Sequence, residues 1–273
     1  MDNPDQFIEH DSARLRFRSA GSGPAVLFVH GWALDMDMWG AQVRALATAF
    51  RVIAFDRRGF GLSTGQPGIE NDVDDVQYLL GALDVQRTAI VGMSQGARVA
   101  LRVALKVPDL VACLVLDGPP SERLPNPVGD ADDVPMEIYR QLVRQQGVEA
   151  FRQQWAHHPL MRLQTSDPAA LSALLTMIER YPGRDLLNAE SPASSIGQRL
   201  DSIGAPTLVI NGEHDTPARI AAGSAMTNLL PRARRSIVPA AGHIPSLDNP
   251  AAYNALLSGF LQVHAARMCE TKI

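Results

Sequence analysis

Short apolar runs alternate along the chain with segments whose apolar residues recur at helical spacing, the pattern of a mostly parallel sheet covered by helices. Around Asp11-Ser12, Gln6 to His10 and Ala13 to Arg18 read as a hairpin. Ala25 to Val29, Val52 to Asp56, Thr88 to Gly92 and Val111 to Asp117 read as further strands. Between them, Met38 to Phe50, Asp72 to Leu83 and Gln95 to Val107 carry helical patterns, the last closed by Pro108.

The alternation breaks at Pro119, and no strand pattern returns before about Gly204. The interrupted stretch opens on turn formers (Pro119, Pro120, Pro125, Asn126, Pro127, Gly129). It continues with helical patterns over Pro135 to Gln145, Val148 to His157, Pro168 to Tyr181 and Ser195 to Ile203. Strands resume at Thr207 to Asn211 and Arg235 to Pro239, before a last helix from Pro250 to Ala266. Two tandem domains would leave those last strands without a sheet to join. The expectation is therefore one α/β core of residues 1–118 and 205–273, with residues 119–204 inserted as a helical cap.

Composition narrows the function classes. The 273 residues are 46% hydrophobic and 20% charged, ordinary for a globular chain with a substantial core, and the net charge is −4. No basic cluster suggests a nucleic-acid partner, and no apolar run approaches the roughly 18 residues that would span a membrane. Met1 to Asp5 is acidic and no apolar stretch follows, so no secretory signal is expected and a cytoplasmic location is. The two cysteines, Cys113 in an apolar run and Cys269 near the C-terminus, make neither a disulfide framework nor a metal site. Gly59-Phe60-Gly61 lacks the third glycine of a dinucleotide fingerprint, so no cofactor is expected. Oligomeric state, monomer or homo-oligomer, stays open.

Candidate chemistry begins at Gly92-Met93-Ser94-Gln95-Gly96, a G-x-S-x-G motif that follows one apolar strand and opens a helix. Such a sharp turn exposes a serine hydroxyl at a strand end, and its glycines let helix and strand pass closely. A serine needs a base near pH 7. Of seven histidines, His243 lies in the loop after the last strand, at the edge where the loops of a parallel sheet gather. Asp215, after the penultimate strand, is the leading carboxylate to orient it, and Asp117 is the rival. The order Ser, Asp, His fits an α/β-hydrolase triad. The oxyanion donors expected are the backbone N–H groups of Gln95, at a helix N-terminus, and of Trp32, after the strand Ala25 to Val29.

On these segments the chain resembles the α/β-hydrolase superfamily over nearly its whole length. The matching stretches are His30-Gly31-Trp32, Asp56-Arg57-Arg58-Gly59-Phe60-Gly61-Leu62-Ser63, Gly92 to Gly96, Gly212 to Asp215 and Gly242-His243. The resemblance implies an eight-stranded sheet, a cap formed by the insertion and the triad Ser94, Asp215, His243. It gives the Asp56 to Ser63 stretch a structural role. Serine at the elbow separates the chain from the aspartate-dependent dehalogenases and epoxide hydrolases. Ile244 stands where carbon–carbon bond hydrolases often carry tryptophan. The remaining matches look most like carboxylesterases and enol-lactonases.

The expected partner is a small-molecule ester or lactone. Trp155 and Met161 of the insertion, with Ile244 beside the histidine, are the candidate substrate-binding residues. Among the insertion's arginines (Arg123, Arg140, Arg144, Arg152, Arg162, Arg180, Arg184, Arg199), one facing inward would favour a substrate carrying a carboxylate. Carbon–carbon hydrolysis, perhydrolysis (a haloperoxidase-type activity) and thioester cleavage use the same triad and stay open. From a different class, so does a non-catalytic ligand-binding protein on this fold.

Overall fold

The computed structural model describes residues 4–121, 134–187 and 196–269. Pro125 to Gly129, Arg123 and Ser195 lie outside them. The N-terminal strands β1 (Gln6–His10) and β2 (Ala13–Ala20) form the expected antiparallel hairpin. β3 (Ala25–Val29), α1 (Gly40–Leu46), β4 (Arg51–Phe55), α2 (Ile69–Ala82), β5 (Thr88–Met93), α3 (Gln95–Lys106) and β6 (Val111–Asp117) then alternate. Four α-helices follow without a strand among the described residues: α4 (Met136–Gln146), α5 (Val148–Ala156), α6 (Pro168–Arg180) and α7 (Arg184–Leu187). The sheet resumes with β7 (Thr207–Gly212), α8 (Pro217–Leu229) and β8 (Ala233–Val238), and the chain ends in α9 (Pro245–Asp248) and α10 (Pro250–Met268).

The eight strands form one sheet in the order β1-β2-β4-β3-β5-β6-β7-β8, parallel from β4 to β8. Its central strands are apolar on both faces because helices cover both. Side chains alternate across the pleat. Phe28, Val91, Val115 and Ile210 enter one core, with Trp39 and Tyr253. Leu27, Ile90, Leu114 and Val209 enter the other, under α2 and α3. β3 and β5 are neighbours, yet β3 leads away to β4 and β5 leads the other way to β6. Such a switch point opens a crevice beyond the strand C-termini.

Three expectations are corrected. The predicted helix Met38 to Phe50 is a 3₁₀ turn at Met36–Trp39 followed by α1, because the Asp35 carboxylate caps the turn two residues earlier. The predicted helix Ser195 to Ile203 is a 3₁₀ segment at Gly197–Ser202. α8 has no counterpart in the sequence reading; its buried residues are Arg219, Ala222, Gly223 and Met226, so Met226 is its one large apolar buried side chain and no apolar stripe marks it. Gly223 is required there, since a Cβ would lie 2.2 Å from Asn211 Oδ1.

Candidate active site

Ser94 occupies the single-residue bend between β5 and α3 with φ 50° and ψ −115°, a region costly for a residue with a side chain. Its N–H donates to Asp117 O at 2.7 Å and its carbonyl accepts from Ala97 N at 2.9 Å, so both flanks of the bend are fixed. The motif's glycines make this close approach feasible. A Cβ on Gly92 would lie 2.4 Å from Gly96 O, and one on Gly96 would lie 2.2 Å from Val29 O. The Ser94 side chain is 8% exposed.

The loop after β3 is locked by His30. Arg57 N–H donates to His30 Nε2 at 2.9 Å, so the ring proton sits on Nδ1, which donates to Gly31 O at 2.7 Å. Burial, with the Arg57 charge nearby, holds His30 well below the usual histidine range and hence neutral. Arg57 is itself fixed by two bonds to Asp72 Oδ2, at 2.8 and 2.6 Å, and donates to Gln95 Oε1 at 2.7 Å. The backbone N–H groups of Trp32 and Gln95 donate to no described protein group. The Asp56 to Ser63 stretch is a scaffold. Asp56 accepts from Met36 N and Leu62 N, and a Cβ on Gly61 would meet its carboxylate at 2.3 Å.

His243 Nδ1 lies 3.0 Å from Asp215 Oδ1, and both side chains are buried. Burial raises the Asp215 carboxyl. His243 and hydrogen bonds from Thr216 N and Asn211 Nδ2 outweigh it and hold Asp215 below the usual range. Asp117 is fully buried but makes no hydrogen bond to His243 among the described residues. Burial, then repulsion from Asp215, pushes its carboxyl far above the ordinary value despite the Tyr253 hydroxyl. Burial and charge thus move the two carboxyls in opposite directions. Gly118 (φ 51°) lies against the imidazole, where a Cβ would meet His243 Cε1 at 2.7 Å.

Ser94 Oγ is not hydrogen-bonded to His243 among the described residues; it lies 3.4 Å from Nη1 of Arg219. That nitrogen is also 3.4 Å from Gly118 O. No sequence signal marks Arg219, which stands in the first turn of the unpredicted α8. This arginine belongs to the core and not to the insertion. Arg180, one of the insertion's arginines, pairs with Asp35 at 2.8 Å and Asp37 at 2.7 Å. Arg152 donates to Tyr181 O.

Trp32 joins sheet edge and insertion. Its ring packs edge-on against Trp155 at 4.8 Å and Phe151 at 5.4 Å, and its Nε1–H donates to Asp185 Oδ2 at 2.6 Å. Tyr181 holds the other Asp185 oxygen. Trp155 is 1% exposed, and its indole N–H has no hydrogen-bond partner among the described residues. Met161 and Ile244 are buried in the same apolar cluster as Trp32 and Trp155. Among the described residues, no group of three or more His, Cys, Asp or Glu side chains could hold a metal ion, and no helix is long and apolar enough to cross a membrane.

The chain is similar over most of its length to several known proteins. A pimeloyl-[acyl-carrier protein] methyl ester esterase of Nitrosomonas europaea is 27% identical over 256 residues, spanning 87% of this chain and 96% of that protein. The malate-bound structure of a thermophilic esterase from Thermogutta terrifontis superposes with a TM-score of 0.81 at 26% identity, covering 96% of this chain and 99% of that one. Est816, described as an N-acyl homoserine lactone degrading enzyme, superposes with a TM-score of 0.79 at 27% identity, over 93% of this chain and 100% of that one. The family model for the alpha/beta hydrolase fold matches residues 24–250, and the chain belongs to that family.

Proposed function

We propose that the protein hydrolyses a small-to-medium carboxylic ester or lactone through an acyl-enzyme on Ser94, with His243 as base and Asp215 orienting it. The observation that carries this reading is a strained serine at a helix head, sharing one sheet edge with a buried His243–Asp215 pair. In the first step Ser94 Oγ bonds to the carbonyl carbon while its proton passes to His243 Nε2. The leaving alcohol takes that proton as the acyl–oxygen bond breaks. Water then attacks the acyl-enzyme, losing a proton to His243, which returns it to Ser94 as the acid departs. The N–H groups of Trp32 and Gln95 hold the oxyanion in both steps. A short shift of the serine rotamer toward the imidazole, of the kind that tightens in a bound complex, completes the relay.

The helical stretch between β6 and β7 is read as a cap, with Trp155, Met161 and Ile244 lining the acyl or alkyl site beneath it. The esterase and lactonase similarities support an ester or its cyclic form. The test is turnover of p-nitrophenyl acetate and butyrate by wild type and Ser94→Ala. Turnover should vanish in the variant while the folded circular dichroism spectrum persists; full activity in Ser94→Ala would overturn the proposal.

A further inference from the structure

The two oxygens of Asp215 are held unequally. Oδ1 accepts from Thr216 N at 2.8 Å and lies 3.0 Å from His243 Nδ1. Asn211 Nδ2, at 3.2 Å, is the one donor to Oδ2 among the described residues. Asn211 stands near the end of β7 and is fully buried. Its nitrogen also donates to Arg219 O at 3.1 Å, and its oxygen accepts from Arg235 Nε at 3.0 Å. These partners fix which way the amide lies. Turned over, its oxygen would face two acceptors and its NH2 group would face a guanidinium donor.

The strand register brings Arg235 to this place. It pairs with Val209, two residues before Asn211, so Arg235 and Asn211 lie on the same face of the sheet. α8 closes over that face at Gly223, against Asn211 Oδ1. Arg235 is half-buried on the edge strand and lines a surface groove with Pro217, Ile220 and Ser224 of α8. Its guanidinium makes one hydrogen bond among the described residues, the bond to Asn211, and no other described residue donates to that amide oxygen. Without Arg235 a buried acceptor would be left unpaired, and the amide would gain by turning toward the groove. Nδ2 would then leave Asp215 Oδ2, and the carboxylate could roll away from the imidazole. We propose that Arg235 is a positioning residue for the triad: by holding the Asn211 amide it fixes the Asp215 carboxylate, and through it His243, without touching any reacting atom. Its effect on turnover rests on the ester-hydrolase reading above; its effect on the Asp215–His243 bond does not.

Two variants test it: Arg235→Met, which keeps the apolar stem and removes the donor, and Arg235→Lys, which keeps a donor. On p-nitrophenyl butyrate, Arg235→Met should lower kcat about tenfold with KM within about twofold of wild type, and Arg235→Lys should recover part of that loss. In an Asn211→Ala background, Arg235→Met should cost less than about twofold, because the path to Asp215 is already cut. Equal losses in the two backgrounds, or a loss carried by KM, would overturn the proposal. Proton NMR of the His243 Nδ1–H separates this proposal from the ester reading, because it needs no turnover. Its downfield resonance should exchange with water about threefold faster or more in Arg235→Met than in wild type. Faster exchange in a protein that hydrolyses no ester supports the proposal, and only the ester reading falls. Ester turnover with an unchanged resonance in Arg235→Met leaves the ester reading standing and removes this one.

Discussion

His243 Nδ1 faces Asp215 Oδ1 at 3.0 Å, whereas Asp117, one strand nearer to Ser94, makes no hydrogen bond to the imidazole among the described residues. The two aspartates differ in electrostatics as well as position: burial holds the Asp117 carboxyl well above its ordinary value, so that it favours the protonated form, while His243 holds Asp215 below it. Asparagine is therefore a near copy of Asp117 but removes the charge and the acceptor geometry of Asp215. Asp215→Asn should cut kcat by about 10³–10⁴-fold through the wrong imidazole tautomer. Asp117→Asn should cost less than about tenfold on the same scale. Steady-state kinetics on one chromogenic ester compares them, and the reverse ranking would give the orienting role to Asp117.

Arg57 and Asp72 form a buried ion pair whose second arm reaches Gln95. Removing one member strands the other's charge, so Arg57→Met should destabilise the fold by about 3–5 kcal/mol. Adding Asp72→Asn to that variant removes the stranded charge and should restore roughly half of the loss or more. Urea unfolding of the single and double variants measures both. A double variant no more stable than Arg57→Met would place the pair's value in packing instead.

The α/β order, the helical break after β6 and the sheet edge that gathers Ser94, Asp215 and His243 were legible because they sit where strong local signals coincide. Gly92 and Gly96 mark a turn where backbone passes within van der Waals contact, and Pro108 and Pro250 mark helix boundaries. Asp215 led Asp117 in the sequence by its place in the loop after β7, while Asp117 ends β6; the contact of His243 Nδ1 with Asp215 Oδ1 separates them in the structure. Arg219 was hidden for another reason. Its partners Ser94 and Gly118 lie 125 and 101 residues away, and α8 carries no large apolar stripe to announce a helix. The Trp32–Asp185 bond spans 153 residues and was equally invisible.

That bond ties the proposed oxyanion loop to the insertion. Trp32→Phe keeps an aromatic ring against Trp155 and Phe151 but leaves one oxygen of buried Asp185 without its donor. The expected loss is about 1–3 kcal/mol, the cost of an unsatisfied buried acceptor. Asp185→Leu in the Trp32→Phe background removes that acceptor and should recover part of it. Because the loop also carries the Trp32 N–H, kcat should fall in Trp32→Phe more than KM rises. Thermal melting and steady-state kinetics check the two halves, and unchanged melting in Trp32→Phe would show that the bond holds nothing.

A second tie between sheet edge and insertion responds to pH. Asp35 is buried beside Asp56 and Asp37 and receives Arg180 from α6, while Arg16 and Arg18 face Asp37. Burial, then repulsion from Asp56, raises the Asp35 carboxyl from 3.8 to about 7 in spite of Arg180. A carboxyl whose pKa is higher folded than unfolded keeps a proton that the unfolded chain has already released. Its contribution to stability is therefore complete below about pH 4 and is lost as pH rises through about 7. Asp35→Asn holds the neutral state at every pH. Between about pH 5 and about pH 8 the wild-type melting temperature should fall more steeply than that of Asp35→Asn. The two curves should converge toward the acid end of that window. Parallel curves would mean that the Arg180 pair keeps Asp35 ionised throughout, and that this junction is held by charge rather than by a shared proton.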